Sequence, residues 1–202
     1  MQLLADQIAA LEAVDPPLTK RADFDDFWAQ ATAKVRVADP DAMVSTVDYP
    51  LDGVEVRDLT YHGLDGTPIS GWVLLPERAM HETVPAMIRF HGGSGSRGRP
   101  FEHLLWAMAG CAVVAMDFRQ QGGRTGSITA MDAFGVDHWI AMNIENHQSH
   151  YLYHAWTDCL LSLKVAKEMP EIDSGRIAVG GGSQGGGTAM AMAALDHDIA
   201  LC

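Results

Sequence analysis

The spacing of apolar positions changes character several times along the chain, and each change predicts an element. From Asp23 to Val35 the apolar residues Phe24, Phe27, Trp28, Ala31 and Val35 recur on one helical face, with Asp23 placed to cap the helix. From Val54 the pattern turns to strand-like alternation through Val56, Leu59 and Tyr61. It breaks at Asp65-Gly66 and resumes at Ile69, Trp72 and Leu74, which predicts a hairpin. Val84 to Phe90 and Cys111 to Asp117 are near-continuous apolar runs, with a helix from Phe101 to Ala109 between them that Gly110 closes. A glycine-rich, irregular stretch covers Gln120 to Asn146, long enough to be a functional loop. Leu152 to Met169 then reads as a helix stopped by Pro170, Arg176 to Gly181 as a strand and Gln184 to Leu195 as a helix. Ile199 to Cys202 opens a further strand.

Apolar strands that alternate with helices predict an α/β fold whose mostly parallel sheet is covered by helices on both faces. We read residues 1–202 as a single domain, with 1–50 an N-terminal helical extension. The pattern stops in mid-repeat.

Composition narrows the function classes. With 14 basic against 26 acidic side chains the net charge is −12, which disfavours phosphate neutralisation and hence a nucleic-acid partner. The three cysteines, Cys111, Cys159 and Cys202, show neither disulfide-framework nor metal spacing, which fits a reduced, cytoplasmic setting. Met1 to Ala13 has acids and no basic start, unlike a signal peptide. No stretch reaches the ~18 apolar residues of a spanning helix. A small neutral or weakly cationic substrate suits this surface best.

The chemistry concentrates at Gly181-Gly182-Ser183-Gln184-Gly185. A serine hydroxyl is a weak nucleophile until a base takes its proton, and it must stand clear of the sheet to meet a substrate. A Gly-x-Ser-x-Gly turn between a strand and a helix supplies that exposure, and here Gly186 and Gly187 add to the crowd of glycines. Ser183 is the candidate nucleophile. The Gln184 amide at the helix start is one candidate oxyanion donor. The second is the Gly93 amide in His91-Gly92-Gly93, which follows the strand Val84 to Phe90. His91 is read as structural, because in such hydrolases the base follows the serine along the chain.

Other constellations compete. Gly93-Ser94-Gly95-Ser96-Arg97-Gly98 fits the spacing of a dinucleotide fingerprint, but Pro100 delays the helix that the last glycine would have to open. His147, His150 and His154 share a helical face without a matching carboxylate or cysteine, so no metal is expected. Trp139, in the long loop, is placed to line an acyl-ester pocket. Asp117 and Arg119 are expected to pair at the strand end and support the oxyanion loop.

With these residues in view, the chain resembles the acetyl xylan esterase / cephalosporin C deacetylase family of carbohydrate esterases. The shared stretches are Asp23-Phe24-Asp25-Asp26-Phe27-Trp28, Ile69 to Pro76, Arg97-Gly98-Arg99-Pro100, Met116-Asp117-Phe118-Arg119, Thr157-Asp158, and Arg176-Ile177 leading to Gly181 through Gly187. The resemblance implies an α/β-hydrolase fold and removal of acetyl groups from xylo-oligosaccharides and cephalosporin-type esters. It also implies a homohexamer, and no metal or cofactor. Three departures stand out. Gly93 replaces a tyrosine of the family's His-Gly-Tyr loop. Gln120 interrupts its Arg-Gly-Gln motif, so the local turn is expected to differ.

The third departure is that only residues 184–202 follow Ser183, whereas the family's acid and histidine lie well downstream. His197 is roughly 20 Å along an intact helix from Ser183, too far to act as its base. The expectation is therefore the N-terminal portion of a longer serine esterase, inactive by itself. A catalytically silent fragment, a prolyl-oligopeptidase-like peptidase and a dinucleotide-binding module are the alternatives.

Overall fold

A computed structural model describes residues 2–132 and 138–202. Six strands form one sheet in the order β1-β2-β3-β5-β4-β6: β1 (Met43–Val47), β2 (Val54–His62), β3 (Pro68–Pro76), β4 (Val84–Phe90), β5 (Ala112–Met116) and β6 (Ile172–Gly181). The helices are α1 (Gln2–Glu12), α2 (Phe24–Val37), α3 (Leu104–Met108), α4 (Tyr151–Glu168) and α5 (Gln184–Leu195).

The expected hairpin is the β2–β3 pair, antiparallel from Val54 opposite Pro76 to His62 opposite Pro68. The expectation of a mostly parallel sheet needs correction. Only β5–β4 and β4–β6 run parallel, while β1–β2, β2–β3 and β3–β5 are antiparallel, so the sheet is mixed. The physical reason lies in the connections. The tight Asp65-Gly66 turn forces its flanking strands antiparallel, whereas the stretches through α3 and α4 are long enough to cross over. Residues 43–47, inside the segment read as a helical extension, form the edge strand β1. Beyond α5, Val179 N–H donates to Leu201 O and Ala200 N–H to Ile177 O, so residues 200–201 run parallel beside β6 as the apolar opening at Ile199 suggested.

The helices cover both faces. On one, α4 buries most of its length, with Leu161 and Leu163 fully enclosed, against Ile88, Phe90, Val114, Val179 and α5. Each such leucine contributes roughly 1.5–3 kcal/mol by leaving water. On the other, Ala107 of α3 joins Val56, Leu74 and Val113. The helix predicted over 101–109 begins as a single 3-10 turn, Pro100–His103, and becomes α-helical only from Leu104. Asp23 precedes α2 but its side chain caps nothing. Its carboxylate is taken by Arg21 instead. Among the described residues no helix is long and apolar enough to cross a membrane.

Candidate active site

β6 runs straight into Gly181 and α5 begins at Gln184, leaving Ser183 on the turn with φ 54° and ψ −120°. A side chain rarely adopts that conformation, and the cost is of order 1–3 kcal/mol. Packing imposes it. A Cβ on Gly185 would sit 2.1 Å from Phe90 O and 2.8 Å from His91 O, and one on Gly181 would sit 2.4 Å from Phe90 O. The elbow is therefore pressed against the end of β4, and only glycine fits at those two positions. Gly182 and Gly187 meet nothing within 4 Å, so the crowd of glycines is demanded by contact at two of its members rather than at all.

The turn leaves Ser183 exposed, and its hydroxyl has no hydrogen-bond partner among the described residues. The same is true of the Gln184 and Gly93 amide N–H groups, the two candidate oxyanion donors. Gln184 is the first residue of α5, where an N–H has no partner within the helix and the dipole is positive. Gly93 lies across the cleft. The point where its Cβ would sit is 3.4 Å from Gln184 Oε1 and 3.5 Å from Trp139 Nε1.

His91 holds the loop that carries Gly93. Its Nε2 accepts the Phe118 N–H at 2.9 Å, so the ring proton sits on Nδ1, which donates to Gly92 O at 2.7 Å. Burial lowers its pKa, and Phe118 meets the ring edge-on. Both nitrogens are thus occupied, which leaves His91 no lone pair for the Ser183 proton.

Gln121 ties the pieces together. Its Oε1 accepts Ser94 N–H at 2.8 Å, while its Nε2 donates to Tyr151 Oη at 2.6 Å and to Gln184 Oε1 at 3.1 Å. Tyr151 in turn donates to Arg119 O at 2.9 Å. One amide side chain so joins the oxyanion loop, the elbow and the start of α4. Sequence reasoning passed over it, although it stood in the Arg119-Gln120-Gln121 motif. Gln120 adopts φ 53°, the left-handed region that a glycine enters freely, so the expected change of turn is instead a glutamine held in a glycine-type conformation.

The expected Asp117–Arg119 pair does not form. The Asp117 carboxylate accepts the Arg97 and Arg124 backbone N–H groups at 2.5 and 2.8 Å, which fixes two loops. Arg119 points the other way, into the core, where two other carboxylates meet it. It reaches Asp158 and Asp65, residues that sequence reasoning did not select. Arg119 depresses the Asp65 pKa strongly despite that group's burial. Burial of Asp158 outweighs the same arginine and holds its pKa at about 6.

The remaining candidates separate from the elbow. Gly93 through Gly98 form an irregular loop with Ser94 and Gly98 at positive φ, and no helix opens on its last glycine, so the dinucleotide geometry is absent. His147 packs on Phe27, His150 caps α4 through its ring, and His154 is buried, so the three do not converge. No cluster of three metal-ligating side chains exists among the described residues. His197 lies just past α5 and lines a cavity of about 480 Å³ with Val35, Leu160 and Lys164, at the opposite end of α5 from Ser183. A smaller cavity of about 280 Å³ borders the elbow itself, lined by His91, Gly92, Gly182, Arg89 and His103.

The acetyl xylan esterase (AXE1) family pattern matches residues 1–202. An acetyl xylan esterase from Paenibacillus sp. R4 is 40% identical and superposes with a TM-score of 0.89 over 95% of this chain and 61% of its own. Acetyl xylan esterase 1 from Thermoanaerobacterium sp. JW/SL YS485 is 30% identical, with a TM-score of 0.82 over 92% of this chain and 62% of its own. A cold-adapted esterase from an Arctic intertidal metagenomic library shares the fold, at 19% identity and a TM-score of 0.57 over 78% of this chain and 62% of its own. The chain therefore spans about three fifths of the length of these relatives. Its sheet and flanking helices are those of an α/β-hydrolase, and the chain belongs to the acetyl xylan esterase family.

Proposed function

We propose that Ser183 is the nucleophile of a carboxylic ester hydrolase that removes acetyl groups from small esters, acetylated xylo-oligosaccharides and cephalosporin C-like compounds among them. The observation that carries this reading is the pair of unpartnered amide N–H groups, Gln184 and Gly93, beside an exposed serine on a strained turn. In the proposed reaction Ser183 Oγ attacks the acetyl carbon and its proton passes to a histidine base. The carbonyl oxygen becomes an oxyanion held by the two amides. Collapse expels the alcohol, which takes the proton from the histidine, and water then repeats the sequence on the acetyl-enzyme to release acetate.

His91 is committed through both nitrogens and His197 lies beyond the far end of α5, so neither is the base in this reading; by family resemblance a histidine further along a longer, full-length protein takes that role. The full-length protein is further proposed to be a cytoplasmic homo-oligomer, a hexamer by family resemblance. The experiment is labelling of that protein with a fluorophosphonate. Wild type is expected to be labelled and Ser183→Ala is not; equal labelling of both rejects the assignment. The 202-residue chain is expected to hydrolyse p-nitrophenyl acetate only slowly, and full esterase rates from it would reject the missing-base reading. Cleavage of peptides in preference to acetyl esters would favour a peptidase.

A further inference from the structure

We propose that Trp139 is a substrate-contacting residue whose indole N–H donates a hydrogen bond to the oxyanion-side oxygen of the bound ester. This rests on Ser183 being the esterase nucleophile, and it adds a donor to the two backbone amides.

Three observations lead here. First, Gly93 has no backbone need to be glycine, since its φ lies outside the left-handed region. Its Cβ position meets Trp139 Nε1 at 3.5 Å and Gln184 Oε1 at 3.4 Å, ordinary contacts for a methyl group but a barrier to anything longer. The missing side chain is room that the indole edge uses. Second, the ring is held. Its plane lies tilted against Tyr151 with centroids 5.3 Å apart, and its backbone forms the short turn Trp139–Ala141, closed by Met142 N–H to Trp139 O at 3.1 Å. Tyr151 is itself fixed by Gln121 and Arg119 O, so the platform under the indole is rigid.

Third, the Trp139 Nε1–H has no acceptor among the described residues, although the residue is half-buried and packs against the main apolar cluster. The N–H is not sealed among the buried, unpartnered polar atoms, so it is open to solvent and a ligand can reach it without displacing a protein acceptor. The nearby oxygens Gln184 Oε1 and Tyr151 Oη both receive Gln121 Nε2 instead. The donor lies beside Gly93 and Gln184, the residues whose amides hold the acyl oxygen in the reaction above. A neutral donor suits that oxygen, because it strengthens as negative charge develops without needing a proton-transfer partner.

The experiment uses the full-length protein. Trp139→Phe keeps the ring against Tyr151 and removes only the N–H. It is expected to lower kcat/KM for p-nitrophenyl acetate about tenfold, the scale of one neutral hydrogen bond, with the loss mainly in kcat. Gly93→Phe, which displaces the indole, is expected to lose activity as well. Adding Trp139→Phe to it should then cost little more, so that the two losses do not multiply. Independently of turnover, the indole signal that disappears from the 1H–15N spectrum in Trp139→Phe should move when a small fluorophosphonate occupies Ser183.

An unmoved signal on fully labelled protein, or Trp139→Phe activity within twofold of wild type, overturns the proposal. If wild type takes no label, the Ser183 reading fails and this one with it. Labelling without an indole shift fails this one alone.

Discussion

Arg119 and Asp158 meet through two parallel hydrogen bonds, Nε to Oδ2 and a terminal nitrogen to Oδ1, each 2.8 Å, with both side chains fully withdrawn from solvent. A second carboxylate, Asp65, receives the same guanidinium at 2.9 Å. The arrangement matters to the active site because the backbone carbonyl of Arg119 receives the Tyr151 hydroxyl, and the residue two positions on is Gln121. The charges are buried, but the segment they anchor touches the oxyanion loop.

Removing Asp158 leaves a fully buried guanidinium with only the partly exposed Asp65 to compensate it. Asp158→Ala is expected to cost about 3–5 kcal/mol in urea unfolding, a large share of the stability of a domain this size. A loss below about 1 kcal/mol would show that water or Asp65 takes over the whole interaction.

Gln121→Leu should separate positioning from folding. The substitution breaks the links to Ser94, Tyr151 and Gln184 while keeping similar bulk. For the full-length protein we expect a fall in kcat of at least about tenfold with a change in thermal midpoint of only a few degrees, since Gln121 is partly solvated. An unaltered kcat would mean that the oxyanion loop holds its place without it.

The glycines of the elbow predict opposite signs. Gly185→Ala places a methyl group 2.1 Å from Phe90 O, so β4 and α5 must separate; a loss of more than about 2 kcal/mol is expected, together with slow fluorophosphonate labelling. Gly187→Ala lies two residues along the same helix with nothing within 4 Å, and alanine there should add about 0.5–1 kcal/mol. Chemical denaturation of the two variants checks both, and equal effects would contradict the packing described.

Acid should act through His154. Burial and the adjacent Arg119 lower its pKa to about 4, while Asp65 at 3.9 Å pulls the other way. The unfolded chain binds this proton near pH 6.5 and the folded one does not until near pH 4, so the group's contribution falls as pH drops through that window. Asp158, held at about 6, works in the opposite direction, because the folded state binds its proton before the unfolded one does. Wild type therefore shows a shallow net slope. In His154→Phe, whose ring replaces two nitrogens with no hydrogen-bond partner, stability relative to wild type should rise by about 3 kcal/mol between pH 7 and pH 4. Parallel stability curves for the two proteins would show that His154 is not buried neutral.

What the sequence discloses follows the range of the interaction. Ser183, Gln184 and their glycines form one local turn, and the helices on either side of β6 carry strong apolar periods, so these were legible from the chain. β1 was not, because Met43–Val47 is an exposed edge strand with almost no buried face to imprint an alternation. Nor was α1, none of whose residues is buried. The partners of Arg119 were hidden for another reason. Asp65 and Asp158 lie 54 and 39 positions away, and no spacing rule connects a loop arginine to a hairpin turn and a helix. Apart from the β2–β3 hairpin, the antiparallel pairings escaped for the same reason, since strand order is set by connections that apolar patterns do not encode.

The backbone at residue 183 is one that glycine would occupy at ease and serine occupies under strain. In the proposed reaction that residue is the nucleophile, so thermal tolerance and reactivity ask for different residues at one position. A search for hardier variants that monitors melting alone should drift toward glycine there, and the sturdiest molecule it yields would be one that has forgotten its chemistry.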